Sequence, residues 1–202
     1  MIYRQILLVA GLCLTVQSGP AFADQDRNFG IVDRQPEEDP SCEAVNRAYE
    51  RTANSGTYLL KINRDNEGAQ MSPYADSLFI ESGMYTRVLQ GDWKKHRRPV
   101  LTPIADPGLV SSYPIFRSCR FIGQQEATGE IAFRYTANWE RRWLLAYSNI
   151  WISKESGKFI QTTREFDTTS HHPFGFAKTF ETYEYQLEPL KALIEEAQKA
   201  AQ

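Results

Sequence analysis

The chain has 202 residues, with 23 lysines and arginines against 25 aspartates and glutamates and a formal net charge of −2. So small a net charge argues against a basic nucleic-acid binder and against an acidic tail protein. Aromatic residues make up 12% of the chain, which is enough to build one well-buried core and argues against a chain that stays disordered over most of its length.

The first segment reads as an export signal. Arg4 precedes the apolar run Ile6 to Leu14, and Ala21-Phe22-Ala23 places small residues at the two recognition positions of a signal peptidase, so cleavage is expected before Asp24. The run is too short to span a bilayer. Leu12 stands where a lipoprotein signal carries a small residue ahead of its cysteine, so lipidation of Cys13 is not expected. Cleavage leaves Cys42 and Cys119 in an oxidising compartment, the periplasm, where they are predicted to form one disulfide. Without a Cys-x-x-Cys pair, thiol exchange is not supported.

The sequence divides into a signal peptide (1–23), a polar flexible leader (24–38) and a single domain (39–202). Asp39-Pro40 supplies an N-cap and a first-turn proline. Cys42, Val45, Ala48, Tyr49 and Thr52 then recur at helical spacing until Asn54-Ser55-Gly56 ends the pattern. The period then changes to two at Tyr58, Leu60 and Ile62. Further strands are expected at Ser77 to Ile80, Met84 to Leu89, Ile115 to Ile122, Glu130 to Thr136, Trp143 to Ser153, Lys158 to Asp167 and Phe176 to Tyr185, with Gly83, Gly123, Gly129, Gly157 and Gly175 at the turns. Strands and helices do not alternate, which disfavours a parallel nucleotide-binding sheet. Pro189 to Gln202 carries Leu190, Leu193, Ile194 and Ala197 on one helical stripe. Gln90 to Pro114, punctuated by four prolines, reads as one long loop and a lid or gate. The expected fold class is α+β: a strongly curved antiparallel sheet, an unclosed barrel-like meander, with an N-terminal helix and a short C-terminal helix.

Several strands are apolar at consecutive positions, as in Leu144, Leu145, Ala146, Tyr147, Ile150, Trp151 and Ile152, whereas a half-solvated sheet shows cleaner alternation. Two readings are open: a curved sheet lining an apolar interior, or an ordinary filled core. On the first, the ligand contacts are Tyr58, Leu60, Ile62, Phe79, Val88, Phe133, Tyr135, Tyr147 and Trp151. The dense basic run Lys94, Lys95, Arg97 and Arg98 beside Trp93 suits anionic head groups or a charged envelope protein, or else is a solvated hairpin tip.

The layout resembles the periplasmic lipoprotein carriers and related lipid-binding proteins of bacterial envelopes. Its local matches are Ile150-Trp151-Ile152-Ser153-Lys154-Glu155-Ser156-Gly157, similar to that family's Trp-bearing strand and following turn, and Thr179-Phe180-Glu181-Thr182-Tyr183-Glu184-Tyr185, similar to a late strand. The resemblance implies an unclosed antiparallel barrel lidded by helices that holds lipid or lipoprotein acyl chains. The helical pattern at 190–202 departs from the family's extended tail, and the family's binding arginine matches no particular residue here.

No catalytic residue, metal or cofactor is expected, an exported hydrolase using His171, His172 and His96 as acid and base being the minor alternative. His171-His172 are adjacent and so point apart in an extended chain, His96 is distant, and neither a Gly-x-Ser-x-Gly nucleophile motif nor a glycine-rich phosphate loop is present. The expected function is that of an exported, non-enzymatic binding protein for an apolar small molecule or lipid. The alternative is a protein-interaction module, an inhibitor or accessory subunit of an envelope complex. Nucleic acid is not an expected partner.

Overall fold

The computed structural model describes residues 38–65, 71–81, 83–96, 115–141, 144–167 and 178–200. The expected signal peptide and leader, Arg97, Arg98, Trp143, His171, His172 and the 97–114 part of the predicted gate lie outside the described residues.

The chain enters at Asp39, whose carboxylate accepts hydrogen bonds from the Ser41 backbone N–H (2.9 Å) and hydroxyl (2.7 Å) and caps a 3₁₀ turn at Pro40–Cys42. Helix α1, Glu43–Ala53, follows. Nine antiparallel strands come next: β1 Tyr58–Arg64, β2 Ser72–Ile80, β3 Gly83–Val88, β4 Lys94–His96, β5 Ile115–Ala127, β6 Glu130–Arg141, β7 Leu144–Ser153, β8 Phe159–Phe166 and β9 Lys178–Glu184. Helix α2, Leu187–Ala200, closes the described chain. The sheet order is β4-β3-β2-β1-β9-β8-β7-β6-β5, so the two hairpin runs meet where β9 pairs with β1. This is the α+β architecture expected from the sequence: a curved, unclosed antiparallel sheet with a helix at each end of the chain.

Several boundaries differ from those read off the sequence, each for a local reason. β2 begins five residues earlier than expected, because Pro73 sits opposite Asn63 at a bulge between Ile62 and Asn63, where a residue without an N–H is tolerated. β5 continues through Gly123, which marks a bulge. The chain instead reverses at Thr128-Gly129, both at positive φ (50° and 82°), as a two-residue hairpin turn requires. The predicted long loop does not begin at Gln90. Leu89 and Gln90 make a positive-φ turn, and the chain returns as β4, pairing Met84 with His96 and Thr86 with Lys94.

Cross-strand partners share a face of a sheet, so the registers assign every strand residue to one side. The first side carries α1. Cys42, Val45, Ala48 and Tyr49 pack on Phe116 (β5), Ala137 and Trp139 (β6), Ala146 and Ile150 (β7) and Phe159 (β8). Cys42 and Cys119 are joined in a disulfide that closes a sequence separation of 77, as predicted, and pins α1 to the outer strand β5. Around it the Asp39 carboxylate accepts the Ser118 N–H (2.7 Å) and the Ser41 hydroxyl accepts the Cys119 N–H (3.0 Å). Partial burial raises the Asp39 pKa, but the hydrogen bonds from Ser41 and Ser118 outweigh it and hold the carboxyl below its usual range. At the other end of α1, the Thr52 hydroxyl donates to Ala48 O (2.9 Å) and accepts the buried Phe159 N–H (2.8 Å), tying the helix to β8.

The second side carries α2, over the opposite half of the sheet. Leu190, Leu193, Ile194 and Ala197 pack on Leu59 (β1), Leu78 and Ile80 (β2), Tyr85 (β3) and Trp93. Trp93 is only 4% exposed, and its indole N–H donates to Glu196 on α2 (3.1 Å). The Arg87 guanidinium lies 4.6 Å from the Trp93 ring and donates to Asp76 (2.8 Å). This corrects the expectation that Trp93 presents itself to a membrane or a partner: it anchors α2. Lys94 and Lys95 beside it are exposed.

Candidate functional site

α1 and α2 cover opposite sides of opposite halves of the sheet, so among the described residues no helix lies over the α1 side of β1, β2 and β3. The registers place Tyr58, Leu60 and Ile62 (β1), Ala75, Ser77 and Phe79 (β2), and Met84, Thr86 and Val88 (β3) on that side in successive cross-strand rows: Ile62-Ala75-Val88, Leu60-Ser77-Thr86 and Tyr58-Phe79-Met84. Leu60, Ile62, Ala75, Phe79 and Met84 are half-buried, and Val88 is 49% exposed. Tyr58 is buried and stacks on Phe79 with centroids 4.3 Å apart, closing one end of the strip. The result is a half-face about three strands wide, roughly 10 Å from β1 to β3, apolar except for Ser77 and Thr86 in its middle row.

Five of the nine predicted ligand residues, Tyr58, Leu60, Ile62, Phe79 and Val88, meet here. The other four do not. Phe133 and Tyr135 share the α1 side, but Tyr135 and Ile62 are separated by β7, β8 and β9, roughly 19 Å across a flat sheet. They join Phe121 instead (centroids 6.0 and 5.3 Å) in an aromatic group beside the β5 edge. Tyr147 and Trp151 lie on the α2 side, since Trp151 pairs with Arg134 and Gln161, and Tyr147 with Asn138 and Glu165. The single interior lined by all nine is therefore corrected to two separate patches and an opposite face. Trp151 is buried because Ala132 and Ile160 pack against it and the Arg134 guanidinium covers its ring (5.3 Å), while Arg134 donates to Asn149 (2.6 Å). That explains why β7 reads as apolar on both faces: one face is core under α1, and the other is a tryptophan sheathed by an arginine stem.

Sequence reasoning missed the polar row that borders the apolar half-face. On the α1 side the row Ala137-Ser148-Arg164-Thr179-Arg64 runs across β6, β7, β8, β9 and β1. Arg164 (8% exposed) is ion-paired with buried Glu181, and its guanidinium lies 4.7 Å from the Trp139 ring. Burial draws the Arg164 pKa down, countered by Tyr183, while Arg141 close by draws it down further. Burial pushes the Tyr183 hydroxyl up to about 12, against the opposing pull of Arg164, and pushes Tyr185 up as well, where its hydroxyl also meets Thr52 (3.3 Å). Both phenols stay protonated in the folded protein at pH values where an unfolded tyrosine loses its proton. Their raised pKa values therefore contribute stability that is complete below about pH 10 and lost as pH rises through about 12. An alkaline melt series is expected to show a falling Tm above about pH 10, with tyrosinate absorbance appearing together with loss of the near-UV circular dichroism. Tyrosinate from Tyr183 and Tyr185 formed in a still-folded protein would contradict their burial.

Among the described residues, no group of three His, Cys, Asp or Glu side chains is placed to share a metal ion. His96 sits on β4 with its Nε2 2.8 Å from the Thr86 hydroxyl.

No family model and no curated protein matches the sequence. The solved structures similar in three dimensions include two complexes of MucB. One is the crystal structure of MucB in complex with MucA(peri), at 11% identity and a TM-score of 0.40, matching 71% of this chain and 55% of that one. The other is the complex structure of Pseudomonas aeruginosa MucA/MucB, at 10% identity and a TM-score of 0.37, matching 71% of this chain and 56% of that one. This chain thus spans little more than half the length of the MucB chains it matches. At these values the likeness assigns neither a family nor a partner.

Proposed function

We propose that this is an exported, non-enzymatic binding protein that holds an apolar ligand of the lipid or acyl-chain class against the α1 side of β1, β2 and β3. The observation that carries this reading is the apolar strip Leu60, Ile62, Ala75, Phe79, Met84 and Val88, half-buried apart from the exposed Val88, with no helix over it among the described residues, on a sheet whose other side is packed by α2. Each Å² of apolar surface removed from water contributes roughly 25 cal/mol before ordering costs, so a chain laid along this strip gains affinity without any polar contact.

Binding of an uncharged fluorescent acyl probe tests the reading. Ile62→Asp and Val88→Asp place a carboxylate in the strip and are expected to weaken binding at least tenfold with little loss of Tm, because both side chains are part-exposed. Trp151→Phe, on the far side of the sheet, leaves affinity unchanged. Unchanged affinity in folded Ile62→Asp and Val88→Asp proteins would refute the assignment.

A second reading, a protein-interaction module, rests on a different place. β5 is an outer strand of 13 residues whose Phe121 and Ile122 are 57% and 49% exposed, a surface suited to pairing with an extended segment of an envelope protein. On that reading Phe121→Ser and Ile122→Ser abolish complex formation and leave acyl-probe binding intact.

A further inference from the structure

The two edges of the described sheet are built differently. β4, at one end, is three residues long, and its Lys94, Lys95 and His96 are all exposed, so it is a poor template for another chain. β5, at the other end, has 13 residues. The 3₁₀ turn covers its first part, where Asp39 and Ser41 accept the Ser118 and Cys119 N–H groups (2.7 and 3.0 Å). Among the described residues, no strand and no backbone hydrogen bond lies against its outer edge over residues 120–127. At about 3.3 Å per residue that edge is roughly 26 Å long, and every second residue of a regular ladder directs its N–H and C=O outward. The bulge after Phe121 leaves Ile122 outside the register, and Gly123 to Ala127 then pair regularly with β6.

The two sides of this edge differ in chemistry. On the α1 side Phe121 is exposed and is backed by half-buried Phe133 and Tyr135. On the other side stand Arg117 and Arg120, whose rows continue through Asn138 and Tyr147 and through Thr136 and Asn149, without a carboxylate on β6 or β7. Arg120 is exposed and in no ion pair among the described residues, whereas Arg117 has Asp39 within electrostatic reach. Glu140 shares that side through its pairing with Ile115 but forms no ion pair with either arginine, and Glu130 accepts the Ser153 hydroxyl. A strand laid against β5 continues its alternation, facing Phe121 on one side and the arginines on the other. We propose that the β5 edge binds an extended segment of an envelope protein in which apolar residues alternate with acidic ones, the apolar residues meeting Phe121 and the acidic residues meeting Arg120 and Arg117. Main-chain pairing supplies the affinity of such an addition, and the alternating side chains supply its specificity. A second copy of this chain suits the edge less well: Glu126, the acidic residue of β5, lies on the α1 side opposite Ile131, so a paired β5 brings no carboxylate to the arginines. The inference rests on the β5 reading above and specifies its partner segment.

The test uses the mature protein and three fluorescently labelled peptides of about nine residues, long enough for the open edge. One alternates valine with glutamate and one alternates valine with lysine. The third is the glutamate peptide N-methylated at a central valine and the glutamate beside it, which removes an N–H from each of its edges. The glutamate peptide is expected to bind at least tenfold tighter than the lysine peptide, and at least tenfold tighter than its own N-methylated form. Arg120→Glu, at an exposed position, is expected to bring the ratio of the first two affinities to one or below, and Phe121→Ser to weaken both. Equal binding of the glutamate and lysine peptides, with N-methylation still costly, overturns the acidic assignment and leaves strand addition at β5 in place. Undiminished binding of the N-methylated peptide, or no binding of any peptide to folded protein, overturns the β5 reading itself. In the second case, a dimer in sedimentation that Phe121→Ser abolishes assigns the edge to a second copy, and adsorption to phosphatidylglycerol vesicles that the same variant abolishes assigns it to a membrane surface.

Discussion

Breaking the Cys42–Cys119 bridge is expected to lower the stability of the folded protein by about 4.5 kcal/mol, the chain-entropy value for a closed loop of this size. The bridge spans a sequence separation of 77 and joins the start of α1 to the outer strand β5. Without it α1 is held by the Asp39 and Ser41 contacts to Ser118 and Cys119, by the Thr52–Phe159 hydrogen bond and by the packing of Val45, Ala48 and Tyr49. In a chain of this length the loss corresponds to a Tm lower by roughly 10–15 °C. Thermal melts of the Cys42→Ala/Cys119→Ala double variant against the oxidised protein measure it. A Tm within 2 or 3 °C of the oxidised protein would show that the bridge does not hold α1 in place.

The second large effect concerns the buried pair Arg164–Glu181. Replacing Glu181 with glutamine leaves the Arg164 guanidinium, 8% exposed, without its counter-charge, and uncompensated buried charges cost about 3–5 kcal/mol. Glutamine also keeps only one acceptor oxygen, so one of the Thr179 and Tyr183 hydroxyls, each 3.4 Å from a Glu181 carboxylate oxygen, loses its acceptor as well. Removing both charges together in Arg164→Met/Glu181→Leu restores much of the loss, because two desolvation costs disappear with one Coulomb gain. Chemical denaturation of Arg164→Met, Glu181→Leu and the double variant measures the coupling. A double variant no more stable than Glu181→Gln would contradict the reading of the pair as a desolvated, mutually dependent unit.

The elements with strong local chemistry were legible in the sequence. Asp39-Pro40 announced α1, Cys42 and Cys119 announced their bridge, and the period-two run from Tyr58 announced the sheet. What remained hidden was set by long-range pairing. The β3–β4 reversal uses Leu89 and Gln90 at positive φ, without the glycine or asparagine that marks such turns, so a strand was read as the start of a loop. Trp93 next to a lysine pair has the composition of a surface anchor, and only the return of β4 along β3 puts it beneath α2. The candidate site was half visible. Alternation on β1 marked Tyr58, Leu60 and Ile62, but Phe79 stands between apolar Leu78 and Ile80 and β7 is apolar on both sides, so the pattern does not tell Ile150, under α1, from Trp151, under Arg134. The arginine row was invisible for the same reason: Arg64 and Arg164 lie 100 residues apart in the chain and become neighbours only through the β8–β9–β1 register.

That register gives the account its most direct test, methyl NMR of the mature protein titrated with a long-chain acyl probe. Perturbations confined to the Leu60, Ile62, Met84 and Val88 methyls, with Leu59, Leu78 and Leu190 on the α2 side unmoved, are the expected result. Perturbations centred on the α2 side, or none at saturating probe, would contradict a ligand held on the α1 side of β1, β2 and β3.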